Sequence, residues 1–359
     1  MTGGGTMRKI ARAVARSRHH ARERRNPLDP GGVIASTLAR EPLAAMDVGA
    51  AGGVAPQWRD HLAVMEVDCF EPDEAECASR RRESPPNIHW FPVALAGSSG
   101  MRPFYVLNRS TGSSLFPPNE AVILEYSGSS YAGIRRVIEV PCKSLHDFLA
   151  ENGRPVPVLM KLDTQGTELE ILSSLTNAQL EEVVCVETEV EFVELYQGQP
   201  TFGDVDGYMR DHGFRLLDLR THRSYRNAND ESHHYLRKYL HTATGSAALS
   251  AELVAGDALY FRESALRAES LTELVRNVCL LRVYRFYDLA FWMVERAASQ
   301  GVVTPGDAVA LIRDVAGSAP RPTLSQRDGL AGNVARRTLW ALGRDDHEVF
   351  WTRRRWPDQ

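Results

Sequence analysis

The sequence predicts a doubly wound α/β domain on a mostly parallel sheet, with a helical region appended after it. Three observations carry this. An apolar strand at residues 44–48 runs into a glycine-rich turn, Asp47-Val48-Gly49-Ala50-Ala51-Gly52-Gly53. Roughly twenty residues later a second apolar strand ends in an acid, Val67-Asp68-Cys69-Phe70-Glu71-Pro72, and that interval marks a nucleoside-binding half of such a fold. Beyond residue 263 the apolar spacing turns helical, through Leu271, Leu274, Val275 and Val278 to Trp292 and Val294.

The 359 residues divide into a basic, flexible extension at 1–30, the α/β domain at 31–263 and the helical region at 264–359. With 43% hydrophobic and 25% charged residues the chain can bury a sizeable core. A net charge of −4 argues against a nucleic-acid-binding surface. Five cysteines show no C-x-x-C spacing, and Cys69 and Cys185 lie in apolar strands, which predicts buried thiols in a reducing compartment. No apolar run is long enough to span a bilayer and no signal-peptide pattern follows the basic start, so the cytoplasm is the expected location. Between Arg8 and Arg25 stand eight basic residues and one acid, a solvated segment that leaves a peripheral contact with anionic lipid open.

Each element follows in order. Residues 33–42 predict a short helix ended by Pro42, and residues 54–64 a short irregular one broken by Pro56. Strand two covers 64–70. The next helix opens at Glu71-Pro72-Asp73, with Pro72 expected at its first position. Residues 88–95 predict a strand interrupted by Pro92, hence an edge or a bulge. Residues 96–141 hold strands at 102–107 and 135–140 around a stretch rich in small hydroxyls, expected as a substrate-side or purely structural loop. Ser144 and Asp147 predict a capping box. A strand at 156–163 leads through Asp163-Thr164-Gln165-Gly166-Thr167-Glu168 into a helix. A strand at 182–190 puts Glu187 and Glu189 on one face. A helix at 200–212 precedes a closing hairpin, strands 214–219 and 258–261, around a polar insertion. Thr304-Pro305-Gly306-Asp307 starts a helix, and the arginine-rich tail holds Trp340, Phe350, Trp351 and Trp356. The helical region can pack on the domain, form a homo-oligomer interface, or cover the substrate or a membrane.

The turn does not complete G-x-G-x-x-G, because Asp47 stands where the first glycine belongs. An acid there suits a cofactor with a cationic head, and S-adenosyl-L-methionine carries a sulfonium and an ammonium. Asp47 then faces the amino-acid end, Gly49 lets the backbone pass close, and Glu71 binds the ribose hydroxyls. Gly49 and Gly52 serving only the turn, and Glu71 serving only as a helix cap, stay open.

The chain resembles the FkbM-type S-adenosylmethionine-dependent methyltransferases over roughly residues 43–262. The motif Lys161-Leu162-Asp163-Thr164-Gln165-Gly166-Thr167-Glu168 carries the resemblance most specifically. Val186-Glu187-Thr188-Glu189-Val190-Glu191, Leu195-Tyr196-Gln197-Gly198-Gln199-Pro200 and Gly213-Phe214 are similar to later blocks, and Ser113-Ser114-Leu115 to a serine-rich motif of some members. Asp47-Val48-Gly49-Ala50-Ala51-Gly52-Gly53 resembles the Asp-x-Gly-x-x-x-Gly opening, with Gly53 completing the spacing and Gly52 an extra glycine. The resemblance implies a seven-stranded sheet of class I methyltransferase type and methyl transfer to an oxygen. The acceptor would be a hydroxyl of a sugar, glycolipid or polyketide-type natural product.

Such transfer needs in-line placement of the acceptor oxygen and removal of its proton. The strand-end acids Asp163 and Glu187 are the candidates, with Asp163 nearest the reacting centre. Lys161, costly in an apolar strand unless paired, would hold Asp163 or Glu187 ionised, anchor an anionic substrate group, or form a structural ion pair. Glu168 reads as a first-turn acid, and His222, His233 and His234 as weaker candidate bases. A metal-assisted version through Asp163, Glu187 and Glu189 lacks a dense ligand cluster, so no metal is expected. An NAD-dependent oxidoreductase or epimerase would need a complete pyrophosphate loop and a Tyr-x-x-x-Lys pair, which are absent. A non-catalytic interaction protein of the same fold remains an alternative, although crevice acids are costly without a function.

Overall fold

The computed structural model describes residues 27–50, 52–126, 133–226 and 251–317. The basic segment up to residue 26, His233 and His234, and the tryptophan-rich tail lie outside the described residues.

Seven strands form the main sheet: β1 (Leu43–Val48), β2 (Met65–Phe70), β3 (Ile88–Phe91), β7 (Leu159–Leu162), β8 (Cys185–Glu191), β9 (Phe214–Ser224) and β10 (Glu252–Arg262). Their order is β3-β2-β1-β7-β8-β10-β9. The pairs β1–β2, β2–β3, β1–β7 and β7–β8 are parallel, whereas β10 runs antiparallel to both neighbours as the expected hairpin. Strand order reverses between β1 and β7, which opens a crevice at their carboxyl ends.

Both faces of the sheet are covered over its centre, so β1 and β7 are largely buried on both sides, whereas the edge strand β9 is largely exposed. Leu43 and Ala45 of β1 join one core cluster, and Met46 and Val48 join the other. The second cluster includes Leu145 and Phe148 of α4 (Leu145–Asn152), Ile171 and Leu172 of α5 (Glu168–Ser173), Leu180 of α6 (Asn177–Glu182) and Val205 and Met209 of α7 (Phe202–Asp211). The first includes Ile34 and Leu38 of α1 (Val33–Leu38) and the C-terminal helices α8 (Leu271–Val283), α9 (Tyr287–Ser299) and α10 (Pro305–Gly317). All five cysteines are buried and free.

Several elements differ from the sequence reading. Helix α2 (Glu74–Glu83) is capped by Asp73, whose carboxylate accepts from the N–H groups of Ala75 and Glu76, so Pro72 lies before the helix rather than at its first position. The side chain of Ser144 caps α4, but Asp147 bonds Ser99 instead of completing a box. The strand expected at 88–95 divides at Pro92, which has no N–H to give a ladder. Ile88–Phe91 stays at the sheet edge, and β4 (Ala94–Ala96) joins a second, three-stranded sheet with β5 (Gly100–Leu107) and β6 (Ile134–Ser144), in the order β4-β6-β5. The helix expected after β1 is reduced to two short 3-10 turns, Pro56–Trp58 and Leu62–Val64.

Two of the three C-terminal helices start at side-chain caps, Ser270 for α8 and Thr304 for α10, whereas α9 follows Phe286 without one. Helix α8 ends where Arg285 takes a left-handed φ of 65° and the Phe286 N–H returns to the Leu281 carbonyl. Arg282, fully buried, donates to the Pro27 carbonyl at 2.9 Å and lies against His61. Burial first, then the Arg282 charge, pushes His61 down to about 3, so its imidazole is neutral. No described helix is long and apolar enough to cross a membrane.

Candidate active site

Strand register builds the centre of the site. Asp47 pairs with Lys161 across β1–β7, and Lys161 pairs with Glu187 across β7–β8. In-register residues of adjacent strands point to one face, so carboxylate, ammonium and carboxylate stand in a row below the crevice.

Asp47 is 1% exposed. Its Oδ2 accepts from the Ala55 N–H at 2.7 Å, which ties the far end of the glycine turn back to β1. Its Oδ1 is buried without a hydrogen bond, with the Lys161 Nζ 3.9 Å away. Burial, only partly offset by Lys161 and the Ala55 N–H, raises Asp47 to about 6.

Lys161 bonds Asp163 Oδ2 at 3.1 Å, as expected of a lysine in an apolar strand. Burial alone would lower its pKa, but the carboxylates of Asp163 and Asp47 raise it, so the ammonium keeps its charge. Asp163, just past the end of β7, retains 40% side-chain exposure and is the open acid of the group. Burial pushes its carboxyl up, but Lys161 and hydrogen bonds from Glu189, Lys161 and Gln165 outweigh that and hold it below its ordinary value. Glu189 moves the other way. Burial and the Asp163 charge push its carboxyl well above its ordinary value.

Glu187 is 4% exposed and fully engaged. Its Oε1 accepts from Arg220 of β9 at 2.8 Å, and its Oε2 from Tyr284 at 2.9 Å and from Gln57. Burial still raises its pKa despite Arg220 and these donors. Glu71, at the end of β2, is 7% exposed. One of its oxygens accepts the Asp73 N–H at 2.9 Å, and the Arg80 charge lies close enough to favour the carboxylate. Burial raises its pKa as well.

The glycines differ in what they do. Gly49 has φ 84°, and a Cβ there would run into the Asp163 carbonyl oxygen and come within 2.8 Å of its carbon. The turn therefore seats itself directly on the β7 end. Gly53 also has a positive φ, 93°, whereas a Cβ on Gly52 would meet no described atom within 4 Å.

The loop from Asp163 to Glu168 is locked from inside. Glu168, 3% exposed, accepts from the Thr164 N–H at 2.6 Å, the Thr164 hydroxyl at 2.9 Å and the Gly166 N–H at 2.8 Å. It is more than a first-turn acid. Glu168→Ala would orphan both N–H groups and is expected to cost about 2 kcal/mol in a denaturant titration.

Gln165 stands in this loop at φ 62°, rare for a residue with a side chain. Its Nε2 donates to Asp163 Oδ1 at 3.1 Å and to Glu189, and its Oε1 accepts from the Tyr196 hydroxyl at 2.8 Å. Its carbonyl accepts from Ser114 at 2.7 Å. Tyr196 also reaches the Gly112 carbonyl at 2.7 Å. The hydroxyl-rich loop is thus docked against the open acid, with Ser114 completely buried as its anchor. The sequence signal for Gln165 and Tyr196 lay in their motifs; Gln57, Arg220 and Tyr284 had none. His222 pairs with Asp257 at 3.1 Å. No group of three or more His, Cys, Asp or Glu among the described residues is arranged to hold a metal ion.

Fold and site together define a doubly wound α/β protein of methyltransferase type, with its acids gathered at the topological switch point. The model of the methyltransferase FkbM domain matches residues 47–216, from the acid of the glycine turn into β9, and this stretch is an FkbM methyltransferase domain. Among solved structures the chain is similar to the precorrin-6y C5,15-methyltransferase of Geobacter metallireducens GS-15, with 10% identity and a TM-score of 0.28, over 64% of this chain and 87% of that one. No curated protein sequence matches the chain.

Proposed function

We propose that the protein is an S-adenosyl-L-methionine-dependent O-methyltransferase acting on a hydroxyl of a sugar, glycolipid or polyketide-type natural product. The observation that carries the cofactor reading is the Asp47 Oδ1, a buried carboxylate oxygen without a hydrogen bond at the switch point. A buried acceptor left unpaired is costly, and a cationic group relieves it. Asp47, with Gly49, Gly52 and Gly53 of the turn, would hold the amino-acid end, and Glu71 the ribose. When bound, the cofactor supplies a methyl group made electrophilic by its sulfonium.

The chain's own residues do the rest. Asp163, ionised and open to the crevice, orients the acceptor hydroxyl and takes its proton at a carboxylate oxygen. Lys161 keeps that carboxylate charged, and Gln165 fixes its rotation through Oδ1. Glu187, enclosed by three donors, holds the glycine-turn segment and contributes negative potential. Docked on Gln165, the loop around Ser114 forms the acceptor side.

Calorimetry with S-adenosylmethionine or its demethylated product tests the cofactor assignment, and absence of binding by either at millimolar concentration would overturn it. Methyl transfer to a panel of sugar and lipid-linked alcohols tests the reaction. In that assay Asp163→Asn is expected to lower kcat about a hundredfold, the lower end for a lost general base, while leaving cofactor affinity within about threefold. Unchanged turnover would remove Asp163 from the chemistry.

A further inference from the structure

In doubly wound folds the turn after β1 is normally fixed by the helix that follows it, whose N-terminus faces the ligand. Here that helix is missing. Two short 3-10 turns replace it, and the Ala55-to-Trp58 segment is instead pinned at three points by side chains from elsewhere. Asp47 holds the Ala55 N–H at 2.7 Å. Glu187 accepts from the Gln57 side chain. The Trp58 indole, itself with no exposed surface, donates to the Tyr284 hydroxyl at 3.2 Å. That hydroxyl in turn donates a hydrogen bond to Glu187 Oε2 at 2.9 Å.

Two of the three pins therefore meet at one hydroxyl, which comes from the C-terminal helices and lies outside the matched residues 47–216. It is placed there by the sharp end of α8. Tyr284 is the C-cap residue of that helix, and Arg285 at φ 65° turns the chain away immediately after it. A regular helix continuing through 284–286 would carry the ring elsewhere.

Resting on the cofactor reading above, we infer that the C-terminal helices are part of the cofactor site, with Tyr284 the positioning residue that stands in for the missing helix by fixing the glycine-turn segment through Trp58 and Glu187. The appendage is then required for cofactor binding by the domain and is more than an added surface.

The experiment is Tyr284→Phe in the full chain, which removes one hydroxyl and keeps the ring. Calorimetry with the demethylated cofactor is expected to show about tenfold weaker binding. Amide hydrogen exchange without ligand is expected to quicken at residues 52–58, while α8, α9 and α10 stay protected. Thr304→Ala is the control: its hydroxyl bonds only within the first turn of α10, so it weakens a C-terminal helix without touching Tyr284. Thr304→Ala should leave both affinity and exchange at 52–58 unchanged. Wild-type affinity in Tyr284→Phe, or equal losses in both variants, would overturn the inference. If Tyr284→Phe proves too unstable, Trp58→Phe, which removes the other end of the bond, must give the same local exchange pattern. A wild-type chain that binds no cofactor would instead bring down the underlying reading, and this inference with it.

Discussion

Gly49→Ala is expected to lose at least about 3 kcal/mol of stability and all measurable cofactor binding. Two independent costs coincide there. The backbone sits at φ 84°, where any side chain is strained by about 1–2 kcal/mol. The new methyl would also meet a backbone carbonyl, that of Asp163, which cannot swing aside as a flexible side chain would. That carbonyl belongs to a loop clamped by Glu168 and anchored to Val48 through the Asp163 N–H at 3.0 Å, so relief requires parting β1 from β7 at the crevice. A denaturant titration should show a lower midpoint at unchanged slope. Gly52→Ala is the internal comparison. Its φ is unexceptional and a Cβ there meets no described atom within 4 Å, so its stability should stay within about 0.5 kcal/mol of wild type. If both alanine variants behave alike, the turn is not seated as described.

The contrast between these two glycines shows where the sequence was readable. The motif marked Gly49 and Gly53 alike and Gly52 as an extra glycine, but it did not separate Gly49 from Gly53, because spacing records that a glycine is present and not what it faces. The strand-end acids were legible for a firmer reason. A carboxylate at the end of an apolar run is costly unless it reaches a sheet edge or a crevice, and Asp47 and Asp163 lie at the ends of adjacent strands; Glu187, expected at a strand end, is instead the third residue of β8, beside Lys161. Register then puts Asp47, Lys161 and Glu187 side by side, which alternation along each strand already required once the strands were neighbours. The second sheet was only half visible. Pro92 announced an interruption, but nothing local said that Ala94–Ala96 would leave the main sheet for β6. Least legible was the company of Glu187. Its donors lie 130, 33 and 97 residues away along the chain, and a hydroxyl at a helix end looks like any surface tyrosine until the helix is placed.

Cofactor affinity is expected to rise with pH through about 6, and Asp47→Asn to abolish that rise. The sign follows from the direction of the shift. Burial lifts Asp47 from 3.8 to about 6, so between those values the folded chain holds a proton that the unfolded chain has released. Stability therefore falls as pH climbs through this window, by about 3 kcal/mol once both states are ionised. That cost is a charge held in a dry site with one oxygen unbonded. A cationic ligand binds the ionised form, so below pH 6 it must first displace the proton, and affinity drops about tenfold for each further pH unit. An α-ammonium group keeps its own charge across this range. The amide that Asp47→Asn introduces cannot ionise, so the variant should bind more weakly at pH 7, show a flat profile between pH 4.5 and 7, and gain stability over wild type at neutral pH. Other raised carboxyls nearby, Glu71, Glu187 and Glu189, are common to both proteins and cancel in the comparison. Calorimetric titrations with S-adenosylmethionine at several pH values check this directly. An identical pH slope in wild type and Asp47→Asn would show that another group receives the cation, with Glu71 the next to replace.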